Sequence, residues 1–180
     1  YKLEESVSLL RKYGLILSST HHTACNNNLV TWKEYWYKVH GIAPPKLLLS
    51  DEKSLCEFWQ YSIETVCRCE QENLWTIAFR GIGDQPYWAA FEDAPVSEEE
   101  RAEVINRMLH IQLAMIKEKT GNPNPFVRVT FYDELSDLLA KGYLKPPVGN
   151  NILWTFVAAR RDHYPFDDIV TFDTATQRHD

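Results

Sequence analysis

The stretch from Leu74 to Phe131 constrains the fold more than any other part of the chain. A short apolar, β-prone run, Leu74 to Phe79, stops at the polar, glycine-containing turn Arg80-Gly81-Ile82-Gly83-Asp84. The capping box Ser97-Glu98-Glu99-Glu100 then opens a helix that carries Val104, Met108, Ile111 and Met115 on one face and ends near Gly121. Pro123 and Pro125 prevent it from continuing, and Phe126 to Phe131 is a second strand. Strand, helix, strand in direct succession is the crossover that joins parallel strands, because the helix returns the chain to the edge from which the first strand began.

The same grammar repeats on both sides. Leu3, Val7 and Leu10 recur at helical spacing up to Gly14, and the apolar Leu15-Ile16-Leu17 predicts a strand over 15–19. Thr20 to Pro45 is rich in Asn and aromatic residues and reads as a long excursion with one short helix. Ser50 is the expected N-cap of a helix reaching about Glu70, with Asp51 and Glu52 in its first turn and Leu55, Trp59, Ile63 and Val66 along one side. After Phe131, Tyr132-Asp133-Glu134 leads into a short helix with Leu135, Leu138 and Leu139, closed by Gly142, and Ile152 to Val157 is a fourth strand. Beyond Arg160 the chain is mixed and polar, with no assignable element.

Apolar strands that do not alternate in polarity are expected where both faces of a sheet are covered. An open doubly wound sheet and a closed barrel both fit this order. The barrel is favoured because no glycine-rich phosphate loop follows any strand, whereas a polar cluster follows each. The expected fold is therefore α/β, the central part of a (β/α)8 TIM-type barrel with parallel strands, with residues 1–180 forming a single partial β/α-barrel catalytic domain. Four strands are half of such a barrel, so its remainder is expected outside this chain.

Composition narrows the chemistry. A net charge of -6 without any basic run excludes a nucleic-acid groove, which needs clustered Lys and Arg. No apolar run approaches the ~20 residues of a membrane span. The four cysteines, Cys25, Cys56, Cys67 and Cys69, match no zinc pattern and are expected as thiols, with no metal and no cofactor implied. Aromatics at 13%, including six Trp and nine Tyr, suit either a core or a surface that stacks on sugar rings.

In β/α barrels the reactive groups project from the C-terminal ends of the strands. Those ends carry His21 and His22, then Arg80 and Asp84, then Tyr132 and Glu134, then Arg160, Arg161, Asp162 and His163. Two carboxylates from separate strands are the minimum for glycosidic cleavage. Each also has a structural reading: Asp84 as a turn residue beside Gly83, and Glu134 as a first-turn acid that complements a helix dipole. Adjacent histidines on a strand point to opposite sides, so only one of His21 and His22 can face a site. A metal-dependent hydrolase built on His21 or His22 with His163 has the least support, since no His-x-His or His-x-x-Glu spacing occurs.

With Trp75-Thr76-Ile77 before it, Arg80-Gly81-Ile82-Gly83-Asp84 resembles the Arg-Gly-x-Gly-Asp segment of glycoside hydrolase family 115, the xylan α-1,2-glucuronidases. Tyr13-Gly14-Leu15-Ile16 through Ser19-Thr20-His21-His22 is similar to that family's Tyr-Gly-Leu-Val strand and Ser-His-His segment, and Tyr132-Asp133-Glu134-Leu135 to its Tyr-Lys-Glu-Val segment. The likeness runs from about Lys2 to Val157. It implies Arg80 as binder of a glucuronate carboxylate, Asp84 and Glu134 as the catalytic pair, and His21 or His22 in the sugar pocket. The implied reaction is inverting release of a glucuronic-acid-type branch from a plant polysaccharide such as glucuronoxylan, in an extracellular or periplasmic setting. Asp84, close in sequence to the Arg80 cation, is the expected base, and Glu134 the expected acid. Where the family shows Trp-x-Asp-Asp-Asn, this chain runs Trp154-Thr155-Phe156-Val157-Ala158-Ala159; Arg160 and Arg161 are the candidate replacements in substrate binding. That departure keeps a second reading open, a non-catalytic or degenerate barrel that binds glycans.

Overall fold

The computed structural model describes residues 3–18, 29–70, 72–81 and 85–157. In chain order the elements are α1 (Leu3–Tyr13), β1 (Leu17–Ser18), α2 (Leu29–His40), a 3-10 turn (Leu49–Asp51), α3 (Glu52–Cys67), β2 (Asn73–Ile77), α4 (Tyr87–Ala90), α5 (Glu98–Thr120), β3 (Val127–Tyr132), α6 (Asp133–Ala140) and β4 (Ile152–Val157). The four strands form one sheet in the order β1-β2-β3-β4, and every pairing is parallel. Neighbours in chain order are neighbours in space, as the helical crossovers require. This all-parallel sheet is compatible with part of a TIM-type barrel.

The strands differ from expectation in one instructive way. Their side chains do alternate: Trp75, Ile77, Val127, Val129, Phe131, Ile152 and Trp154 join the core with residues of α3, α5 and α6. The other face carries Thr76 and Arg128, which are register partners, and Arg128 donates to Thr76 Oγ1 at 3.1 Å and to Ser18 Oγ at 3.4 Å. Thr76 and Thr130 on that face are nonetheless buried. One face is thus core, while the other sets these two buried threonines beside half-buried Leu74, Arg128, Leu153 and Thr155, a mixture that an apolar strand signal alone does not distinguish from core.

Local chemistry explains the remaining corrections. β1 begins at Leu17, later than the predicted start at 15, while residue 19 lies outside the described residues; Leu15 belongs to the end of α1, where Gly14, at φ 64°, donates to Arg11 O and Leu15 N donates to Leu10 O, a Schellman cap. Leu15 and Ile16 are half-exposed as a result. The same cap closes α6, where Gly142 N reaches Leu139 O and Tyr143 N reaches Leu138 O. The N-cap of α3 is Asp51, accepting from Ser54 N, and not Ser50, because Leu49–Asp51 already turns as a 3-10 helix.

Ser97 caps α5 as expected, accepting from Glu100 N at 3.3 Å. The buried stripe of α5 is rotated from the predicted face, however: Ala102, Ile105, Met108, Leu109, Gln112, Leu113 and Ile116 are buried, while Val104, Ile111 and Met115 sit at its margin. Among the described residues no helix is long and apolar enough to cross a membrane.

Candidate functional site

β2 and β3 deliver Arg80 and Glu134 to the same place. Arg80 lies just past the end of β2 and Glu134 is in the first turn of α6, directly after β3. The guanidinium grips the carboxylate side-on: Nε donates to Oε1 at 2.8 Å and Nη2 to Oε2 at 3.3 Å. Their side chains are only 4% and 14% exposed, so the pair is a desolvated, two-point interaction and not a surface contact. The Tyr132 ring lies 3.9 Å from the Arg80 guanidinium carbon, stacked on the flat face that the fork leaves uncovered by its hydrogen bonds.

The backbone around Arg80 is fixed from both sides. Before it, the Ala78 peptide is bonded to the buried Gln112 of α5, with Ala78 N donating to Oε1 at 3.2 Å and Nε2 donating to Ala78 O at 3.0 Å. After it, Gly81 N donates to Gln85 O at 2.7 Å and folds the loop back on itself. A Cβ at Gly81 would meet Ala90 Cβ at 2.6 Å and Pro86 O at 2.9 Å, so the approach of α4 to this loop requires glycine. Below, Phe79 packs on Tyr87 and Phe91 at centroid distances of 5.0 and 5.7 Å. Burial pushes the Tyr87 hydroxyl far above the usual phenol range, which keeps it a neutral donor to Arg101 O.

Of the residues singled out in the sequence, Arg80 and Glu134 are thus brought together. Asp84, His21, His22, Arg160 and Arg161 lie outside the described residues. Gly81, Tyr132 and Gln112 also build the site. The signal for Gly81 is its place in a polar turn directly before a helix, and Tyr132 was already legible as the last residue of a strand, beside Glu134. Gln112 follows Met108 and Leu109 at helical spacing and precedes Ile116 by one turn, a signal that it shares their face. Cys56, Cys67 and Cys69 are free thiols, and burial pushes Cys56 and Cys67 up from the ordinary thiol value, as expected of unreactive structural cysteines.

A buried guanidinium clamped to a carboxylate at the C-terminal ends of adjacent parallel strands is an arrangement that can bind an anion and handle a proton in one enclosure. No curated protein matches the chain. The family model described as glycosyl hydrolase family 115 matches residues 2–165, which takes in both strand ends and the loop between them. The chain belongs to glycosyl hydrolase family 115, a family of glycoside hydrolases.

Proposed function

We propose that the four described strands are consecutive strands of a (β/α)8 barrel, and that their C-terminal ends hydrolyse the bond joining a glucuronic-acid-type branch to a plant polysaccharide such as glucuronoxylan. The observation that carries the reading is the buried Arg80–Glu134 fork. A uronic acid differs from the matching neutral sugar by one carboxylate, and a planar, bidentate donor is the group suited to recognise that difference. In this reading the substrate carboxylate competes with Glu134 for Arg80. When the sugar takes the fork, Glu134 loses the cation that favours its ionised form and takes up a proton from solvent, and the neutral carboxyl then hands that proton to the departing glycosidic oxygen. Asp84 is then the base that activates water. Inversion requires the two carboxyl groups to stand about 6.5 to 9.5 Å apart, leaving room for that water. His21 or His22, Arg160 and Arg161 complete the sugar pocket.

Incubation of the protein with glucuronoxylan tests this: free glucuronic acid should appear with the β-configuration that inversion of an α-linkage gives. Binding of the polysaccharide without any release would favour the second reading, a glycan-binding barrel. The change from Trp-x-Asp-Asp-Asn to Trp154-Thr155-Phe156-Val157-Ala158 is the feature that supports that alternative. Release of neutral sugars only would overturn the uronate specificity.

A further inference from the structure

We infer that Gln112 is a positioning residue for the Arg80–Glu134 pair, its side-chain amide setting the backbone from which Arg80 projects. The consequence for sugar binding rests on the uronate reading above; the consequence for Arg80 itself does not.

β2 and β3 are in register as far as Ile77 against Val129, and Ala78 follows that last pairing while still only 2% exposed. A buried peptide at such a point must find partners for both its N–H and its C=O. Gln112, fully buried on α5, supplies both at 3.2 and 3.0 Å. Two bonds from one planar amide fix the peptide in rotation as well as in distance, much as a neighbouring strand would.

Only Phe79 separates this anchored peptide from Arg80, and its ring is locked among Trp59, Tyr87 and Phe91. A small rotation at Ala78 is therefore transmitted to the guanidinium at the end of a long side chain. The Nη2 contact to Glu134, already at 3.3 Å, is the first that such a rotation would break. Gln112 also stands in the middle of an apolar stripe, between Met108, Leu109, Leu113 and Ile116. Methionine or leucine would fill that position as an apolar residue, and neither could make the pair of bonds to Ala78 that glutamine makes.

The test compares the wild type with Gln112→Met, which keeps the volume and loses both bonds, and with Gln112→Glu, whose protonated carboxyl can remake both. The first readout needs no substrate: NMR of the Arg80 Nε–H and hydrogen exchange of the Ala78–Gly81 amides. In Gln112→Met these protons should exchange about tenfold faster while the Val129 amide keeps its wild-type protection. Affinity for glucuronic acid should fall about tenfold, with affinity for glucose changing by less than about twofold. Gln112→Glu at mildly acid pH should recover most of both losses.

A folded Gln112→Met protein with an unchanged Arg80 Nε–H and unchanged uronate affinity overturns the inference. So does an equal loss of protection at Val129, which would make Gln112 a general support of the sheet. Should Gln112→Met fail to fold, Gln112→Glu compared at mildly acid and mildly alkaline pH carries the same two outcomes. A wild type indifferent to glucuronic acid, whose Arg80 Nε–H still responds to Gln112→Met, refutes the uronate reading and upholds the positioning role.

Discussion

At the C-terminal ends of β2 and β3 the charged groups are enclosed, whereas the N-terminal ends of the same strands border open clefts. Arg80 is 3% exposed, paired at two points and backed by an aromatic ring. Across the sheet, a cleft of about 410 Å³ is lined by Glu72, Asn73, Lys119, Asn122 and Phe126, and a second of about 300 Å³ by Pro123, Asn124, Val148 and Asn151. Both of these clefts lie at the end away from the Arg80–Glu134 pair. In water a charge pair is screened to near indifference; removed from water, it becomes strong enough to recognise an anion or steer a proton. Enclosure is what separates the Arg80–Glu134 pair from the charges that line these clefts.

The largest expected effect comes from breaking the enclosed pair. Arg80→Met or Glu134→Gln alone should cost about 3 to 5 kcal/mol in urea unfolding, because each leaves a buried partner uncompensated. The double variant Arg80→Met/Glu134→Met should recover much of that stability while remaining inactive on glucuronoxylan. A single change costing less than about 1 kcal/mol would mean that the pair behaves like a surface salt bridge, and the contrast between the two ends would collapse.

Gly81→Ala ranks next. The new methyl has to share space with Ala90 and the Pro86 carbonyl, and overpacking of this kind costs about 1 to 3 kcal/mol. Adding Ala90→Gly removes the closest clash, at 2.6 Å, so thermal unfolding of the double variant should lie nearer the wild type than that of Gly81→Ala alone.

Much of this rim was legible in the sequence and part was not, for identifiable reasons. Leu74–Phe79, Phe126–Phe131 and Ile152–Val157 announce themselves as strands, and the capped helix between the first two fixes them as parallel neighbours. From that, Arg80 and Glu134 follow as occupants of adjacent strand ends. Their direct contact does not follow, since it depends on side-chain reach and on Tyr132 beneath the guanidinium. Gln112 was hidden by the rotation of the buried arc of α5: reading its face from Val104, Met108, Ile111 and Met115 places glutamine at the edge of that face, where a polar side chain is ordinary. Only the position of the Ala78 peptide reveals why a polar side chain belongs inside. The start of β1 was placed too early because Leu15 looks like a strand residue and acts as a cap residue.

A smaller effect is expected at Asp93, which ties the chain after α4 to the start of the 3-10 turn before α3. Its two carboxylate oxygens accept from Leu49 N and Ser50 N, each at 2.8 Å. Burial alone would raise the Asp93 carboxyl, but these backbone N–H groups outweigh it and hold the group below the ordinary aspartate value. A carboxyl whose folded value is depressed contributes stability that is complete above its unfolded value and is lost as pH falls through the folded one. Asp93→Ala should therefore cost about 1 kcal/mol at neutral pH, and the difference from wild type should shrink as pH falls below about 4. A difference that grows toward acid would contradict the capping role.

The smallest effect is expected at the open end, where Lys119 lies 3.3 Å from Glu64. Both side chains retain water, at 27% and 40% exposure, so their attraction is screened and is offset by the entropy of holding two long side chains in place. Glu64 is held below the ordinary glutamate value first by the Gln60 amide and then by Lys119, so it keeps its main partner when the lysine is removed. Lys119→Ala should change unfolding free energy by no more than about 0.5 kcal/mol, and about 1 M salt should erase even that difference. Its rate on glucuronoxylan should match the wild type, because the cleft it lines lies at the opposite ends of the strands from Arg80 and Glu134. A loss of activity in folded Lys119→Ala would place function at the open end after all.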